Sequence, residues 1–227
     1  MVTSDNRLPR NMFYKLTLDD EQVAFVEAIK DPEKMIIFCN SCAGTGKTTL
    51  ALGTANMLVQ DKRTNYKGIL YVVAPYGEQR QGFLPGNQEK KSVVYFRPAY
   101  KAMLKTDINP NSAVITDSMS SKKAGDAYIE LTTLTYMRGD DEEDLVVIVD
   151  EAQNFTAPEL KMVLTRFHDN CKVIVIGHME QKDIRGRSGF DQYIRHFQYE
   201  RYCAVCELTT NYRGELSRKA DELVEEW

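Results

Sequence analysis

The stretch that most restricts how this 227-residue chain can fold is Ser41-Cys-Ala-Gly-Thr-Gly-Lys-Thr48. An apolar run, Met35–Asn40, leads into it. Thr48–Gln60 leaves it with Leu50, Leu52, Ala55 and Leu58 available to pack a helix on a sheet. Two glycines, a lysine and a hydroxyl residue between a strand and a helix describe an anion cradle. Gly44 and Gly46 let the backbone turn its N–H groups inward, and the helix N-terminus adds partial positive charge at the same point. Ser41, Cys42, Ala43, Gly44, Thr45, Gly46, Lys47, Thr48 and Thr49 are therefore the expected contacts of a nucleotide's phosphates. Lys47 is expected to reach the β- and γ-phosphates, and Thr48 to offer its hydroxyl to Mg²⁺.

A second motif completes the chemistry. Leu145–Val149 is an unbroken apolar run, as expected for a strand buried on both faces, and it ends in Asp150-Glu151. An acid pair at that place, downstream of the cradle, suits a divergence of roles. Asp150 is expected to hold Mg²⁺ with Thr48, and Glu151 to orient and deprotonate an attacking water. Gln181, after the apolar run Cys171–Ile176, is a candidate for sensing the γ-phosphate or placing the water. Arg213, after Val205–Leu208, can supply charge to the transition state or sit in a surface ion pair. Gln22 can read an adenine edge through its amide or lie on a solvated helix face.

Around these motifs, apolar runs alternate with amphipathic stretches. Expected helices begin at a Thr17 cap and cover Thr48–Gln60, Arg97–Lys105, Glu159–Phe167 and Glu215–Glu226. Expected strands are Met35–Asn40, Gly68–Ala74, Ser112–Thr116, Tyr128–Thr133, Leu145–Val149, Cys171–Ile176 and Val205–Leu208, with a turn at Gly82–Gly86. Such alternation means one α/β domain over 17–227, a mostly parallel sheet with helices on both faces, preceded by a polar arm at 1–16. Ligands on such sheets gather at the carboxyl ends of the strands, which is where the motifs fall.

Bulk properties exclude some classes. No apolar run reaches the ~18 residues a bilayer span needs, and the polar start has no signal-peptide character, so a cytoplasmic, non-membrane protein is expected. The net charge of −4 means that any nucleic-acid partner must be held by a local patch. Cys39/Cys42 and Cys203/Cys206 form two CxxC pairs, with Cys171 alone. The first pair straddles the cradle, where thiolates would oppose an anionic ligand, so reduced thiols are expected in place of zinc.

The order Gln22, SCAGTGKT, DEAQ and a later Gly-x-x-x-Gln resembles the nucleotide core of superfamily 1 helicases. The segments Gly82–Gly86 with Glu89-Lys90, Phe96–Tyr100, Thr135–Gly139, Asp150–Asn154 and Leu160–Arg166 are similar to the PhoH-like family of ATPases, over roughly residues 20–190. The resemblance implies a single RecA-like P-loop domain that binds and hydrolyses ATP with Mg²⁺. Lys47, Thr48, Asp150, Glu151 and Gln181 fall on its motif positions. It also implies RNA- or helicase-linked work and a ring-shaped homo-oligomer, in which Arg213 can act across a subunit boundary. Two positions depart from the pattern: Ser41 stands for the usual first Gly, and His178 for the Asp after Gly177.

Gln88–Lys105 interleaves Lys90, Lys91, Arg97, Lys101 and Lys105 with Tyr95, Phe96 and Tyr100. That mixture suits RNA or single-stranded DNA, whose bases stack on rings while cations meet phosphates; the alternative is a solvated helix with its aromatics in the core. Lys122-Lys123, Arg185 and Arg187 can extend the rim. The competing functions are a nucleotide-gated binding module, to which His178 lends weight, and a small-metabolite kinase, against which Glu151 argues.

Overall fold

A computed structural model of the chain describes residues 13–74, 95–115, 127–137, 141–179, 181, 184 and 187–221. Gly82–Gly86, Lys90, Lys91, Lys122, Lys123 and Arg185 lie outside the described residues.

Six strands form one sheet: β1 (Ile36–Ser41), β2 (Gly68–Val73), β3 (Ile129–Thr133), β4 (Leu145–Asp150), β5 (Lys172–Gly177) and β6 (Cys203–Leu208). Their order is β3-β2-β4-β5-β1-β6, and every pairing is parallel. The central strands are buried on both faces and divide their side chains by the two-residue period of a strand. On one face Ile37, Cys39, Tyr71, Ile148, Ile174 and Ile176 pack under helices α1 (Asp20–Lys30), α2 (Lys47–Gln60) and α3 (Arg97–Lys105). On the other, Phe38, Val72, Val147, Val149 and Val175 meet Leu160 and Val163 of one covering helix and Phe190 and Ile194 of another. The expected α/β domain with a covered parallel sheet is what forms.

Local chemistry sets the boundaries. α1 starts at Asp20 and not from a Thr17 cap, because Asp19 closes a capping box with Gln22: Gln22 N–H donates to Asp19 Oδ1 at 2.7 Å and Asp19 N–H to Gln22 Oε1 at 3.1 Å. Over its described residues, 112–115, the expected strand at Ser112–Thr116 is reduced to one bridge. Asn109 accepts the Asn111 N–H at 3.1 Å and Pro110 opens a helical turn, α4 (Pro110–Ala113), so only Val114 bridges to Ile129. The helix expected to begin at Glu159 begins earlier, as α5 (Ala157–Leu164), because the Glu159 carboxylate reaches back to the Thr156 N–H at 2.7 Å. A short 3₁₀ turn, Ala152–Asn154, precedes it; α6 (Gly189–Phe197) and α7 (Glu215–Asp221) complete the described fold. No described helix is long and apolar enough to cross a membrane.

The arm expected at 1–16 ends in a packed clasp. Phe13 is buried, Tyr14 Oη donates to Gly53 O at 3.2 Å, and a Cβ on Gly53 would come within 2.8 Å of both Phe13 and Thr106. Gly53 therefore lets the clasp and α3 press directly on the helix that leaves the cradle.

Candidate active site

The loop between β1 and α2 takes a shape that only glycine tolerates easily at two points: φ is +78° at Gly44 and +86° at Gly46. Gly46 is also the N-cap of α2, and no side chain caps that helix. The orphan N–H groups of its first turn thus remain available to an anion. A Cβ on Gly44 would lie 2.5 Å from Asn211 Oδ1 and 2.7 Å from Arg213 Cγ, so the segment after β6 drapes over the loop. The backbone agrees: Tyr212 N–H donates to Gly44 O at 3.0 Å, and Cys42 N–H to Leu208 O at 3.1 Å. The buried Thr45 hydroxyl has no hydrogen-bond partner among the described residues. A glycine cradle at an uncapped helix start, with a lysine as the first helical residue, fits a polyphosphate.

Beside it, Asp150 ends β4 fully buried. Its Oδ2 accepts from Thr48 Oγ1 at 2.9 Å and from the Tyr71 phenol at 2.5 Å, while its Oδ1 accepts the Glu151 N–H at 2.7 Å. Burial, and then the neighbouring Glu151 charge, push the Asp150 carboxyl above the usual range; Lys47 and the two hydroxyl donors oppose that. A buried acid paired with a hydroxyl oxygen is a hard-oxygen donor set, which suits a magnesium-sized cation. Thr48 and Asp150, expected to share a metal, are thus within one hydrogen bond of each other.

Glu151 sits in the left-handed region at φ +54°, turning the chain sharply out of the sheet. Gln153, 2% exposed, then fixes it: Gln153 Nε2 donates to Glu151 Oε2 at 2.6 Å, and Gln153 Oε1 accepts the His178 N–H at 3.0 Å. Gln153 therefore ties the end of β4 to the end of β5. Gly177 leaves it room, since a Cβ there would come within 2.9 Å of Gln153 Oε1.

The remaining expected residues fall out as follows. Ser41 is buried, its hydroxyl directed at Gly177 O at 3.4 Å, which ties the loop entry to β5. Gln22 meets the cradle, with Nε2 donating to Thr45 O at 2.9 Å. The Arg213 side chain passes over Gly44 of its own chain. Gln181 is exposed and linked by its N–H to His178 O at 3.2 Å. Burial raises the Cys39 thiol and pushes Cys203 and Cys206 up to about 11, which disfavours thiolate ligands. Tyr71 and Gln153 were missed as site residues. Gln153 could have been found from its place in Asp-Glu-Ala-Gln, whereas Tyr71 is one of six consecutive buried positions in β2 and carries no sequence signal.

On α3, Arg97, Lys101 and Lys105 are exposed and make no ion pair among the described residues. Of the two readings of its aromatics, the one with the rings in the core is what forms. Phe96 is buried, and Tyr95 and Tyr100 are half-buried against the core, because α3 turns its apolar side onto α2.

Comparison with known proteins follows the same lines. The model of the family described as PhoH-like protein matches residues 17–225. A PhoH-like protein of Mycobacterium leprae (strain TN) is 39% identical over 170 residues, 74% of this chain and 46% of the relative. Protein PhoH of Escherichia coli (strain K12) is 32% identical over 194 residues, 84% of this chain and 52% of the relative. The chain thus spans about half the length of the curated relatives it matches. Among solved structures, the HK97 bacteriophage large terminase superposes with a TM-score of 0.55 at 15% identity, covering 91% of this chain and 42% of that one. That likeness speaks to the fold alone, and the fold is a RecA-like P-loop domain. With its matched stretch running from the start of α1 to beyond α7, this chain belongs to the PhoH-like protein family.

Proposed function

We propose that the chain is a Mg-dependent nucleoside triphosphatase that hydrolyses ATP and couples that hydrolysis to RNA or single-stranded DNA. The observation that carries the reading is the junction of Thr48, Asp150 and Glu151 beside the cradle, within hydrogen-bond distance of one another through Asp150. The loop amides and Lys47 hold the β- and γ-phosphates. Thr48 and Asp150 would hold Mg²⁺, which would neutralise phosphate charge. Glu151 orients the attacking water and takes its proton, and the grip of Gln153 on one carboxylate oxygen leaves the other for that water. Arg213, lying over the cradle, adds charge to the transition state. The products are ADP and inorganic phosphate.

Support for the nucleic-acid half comes from α3. Arg97, Lys101 and Lys105 recur every four residues, so they line one exposed stripe about 6 Å apart along the helix. Cations spaced in this way can meet successive phosphates of a single strand.

The test is phosphate release with and without a single-stranded oligonucleotide, for the native chain and Lys47→Ala. Native turnover is expected to depend on Mg²⁺ and to rise with oligonucleotide, and Lys47→Ala to lose most of it. Hydrolysis untouched by Lys47→Ala would place the chemistry elsewhere.

A further inference from the structure

Two donors hold the outer side of the cradle. The Gly44 carbonyl accepts the Tyr212 N–H at 3.0 Å, and the Thr45 carbonyl accepts Gln22 Nε2 at 2.9 Å. In a planar trans peptide the carbonyl of one residue and the N–H of the next point in opposite directions. Pinning the Gly44 and Thr45 carbonyls outward therefore turns the Thr45 and Gly46 N–H groups toward the phosphates. The two struts share an anchor. Asp19 Oδ1 accepts the Gln22 N–H at 2.7 Å, and Asp19 Oδ2 accepts from the Tyr212 hydroxyl.

The Gln22 amide is tied to the fold at both ends and buried, so its orientation is set before any nucleobase arrives. Its Oε1 accepts the Asp19 N–H at 3.1 Å, its Nε2 is on Thr45 O, and the residue is 7% exposed. Reading an adenine edge takes a paired donor and acceptor presented together, and an amide fixed between the Asp19 N–H and the Thr45 carbonyl is not free to turn that pair toward a base.

We propose that Gln22 is a positioning residue of the phosphate loop, holding the Thr45 carbonyl so that the Gly46 N–H faces the triphosphate, and that it does not select the base. The proposal rests on the triphosphate reading above. A strut of this kind acts on every ligand that carries the polyphosphate, with or without a base. Without it, the loop must order itself on binding, and ligand affinity drops while the chemical step keeps its groups.

The experiment compares native protein with Gln22→Met, which keeps the side-chain length and removes both the donor to Thr45 and the acceptor that caps α1. Affinity is measured for Mg-tripolyphosphate, ATP and GTP, with KM and kcat for both nucleotides. The strut predicts that all three ligands weaken by a common factor of about tenfold, the worth of one hydrogen bond to a buried carbonyl. KM should rise with kcat nearly kept, and the ATP-to-GTP preference should stay as in the native chain. Unchanged tripolyphosphate affinity overturns the proposal, whether ATP weakens alone, as for a base reader, or nothing weakens, as for a plain helix cap. Should Gln22→Met fail to fold, Gln22→Glu keeps the acceptor that caps α1. Its added charge acts on ATP and GTP alike, so its readout is their ratio: unchanged supports the strut, and a collapse of the preference refutes it. If the native chain binds none of the three ligands, the triphosphate reading falls first and the strut with it.

Discussion

At the scale of single residues, the site is a set of carboxylates whose freedom has been removed. Asp150 has three donors within 2.9 Å, and Glu151 is held by one amide while its backbone sits at a strained φ. The positive φ turns the chain away from β4 at Glu151, and Gln153 holds the carboxylate that results. Glu151→Gln is expected to lower kcat by roughly 10²–10⁴-fold while ATP still binds, because the acceptor for the water's proton is lost; a filter-binding assay run beside phosphate release checks both halves. Gln153→Leu leaves every group that touches phosphate in place but frees the Glu151 carboxylate. It should reduce kcat on the order of 10–100-fold, the usual effect of a small misplacement, with ATP affinity within about threefold of native. Equal losses in affinity and kcat would instead make Gln153 a simple support of the loop.

At the scale of elements, α1 is the part through which the site is braced, and its far end depends on a buried cation. Lys172, 3% exposed at the start of β5, donates through Nζ to Asp31 O at 2.6 Å and to Lys34 O, closing the carbonyls that follow α1. Lys172→Met should destabilise the fold by about 1–3 kcal/mol by leaving those carbonyls unpaired, measured by urea unfolding. Burial lowers the Lys172 ammonium to about 8, against a partial opposing effect of Asp31. A base whose folded pKa lies below its unfolded value stabilises fully above the unfolded pKa, and loses that contribution as pH falls through the folded one. The native-minus-variant difference should therefore be larger at pH 9.5 than at pH 7.5. On α3, replacing Arg97, Lys101 and Lys105 with Gln should weaken single-strand binding and flatten its dependence on salt. If all three meet phosphates, the slope of log K against log salt drops by about 2.

At the scale of the whole molecule, the question is whether one chain completes its own site. Arg213 passes over Gly44 of its own chain, and Tyr212 is hydrogen-bonded there through its backbone. The geometry therefore favours an arginine acting in cis within whatever oligomer forms, where the sequence alone suggests one acting across subunits. Mixing Arg213→Ala with Glu151→Gln tests this. Each variant lacks a different group, so a trans arrangement would restore part of the turnover in mixed assemblies, and a cis arrangement restores none. No restoration is expected.

Much of this was legible before any coordinates. Ser41–Thr48 and Asp150-Glu151 can be read from sequence because their requirements are local. A tight glycine turn, a helix start and an acid at the end of an apolar run are each written in consecutive residues, and the alternation of strands and helices leaves few ways to bring the ends together. The element edges that went astray did so for equally local reasons: Asp19 outcompeted Thr17 for the cap, and Asn109-Pro110 turned an expected strand into a helical turn. What no window of sequence contains is which partner a polar group chooses across the fold. Tyr71 meets Asp150 from 79 positions away, Gln153 meets His178 from 25, and Gln22 reaches Thr45 from 23. Those choices depend on register between strands and on what packing leaves unpaired in a buried space, so they were decided only when the sheet closed and its layers came together.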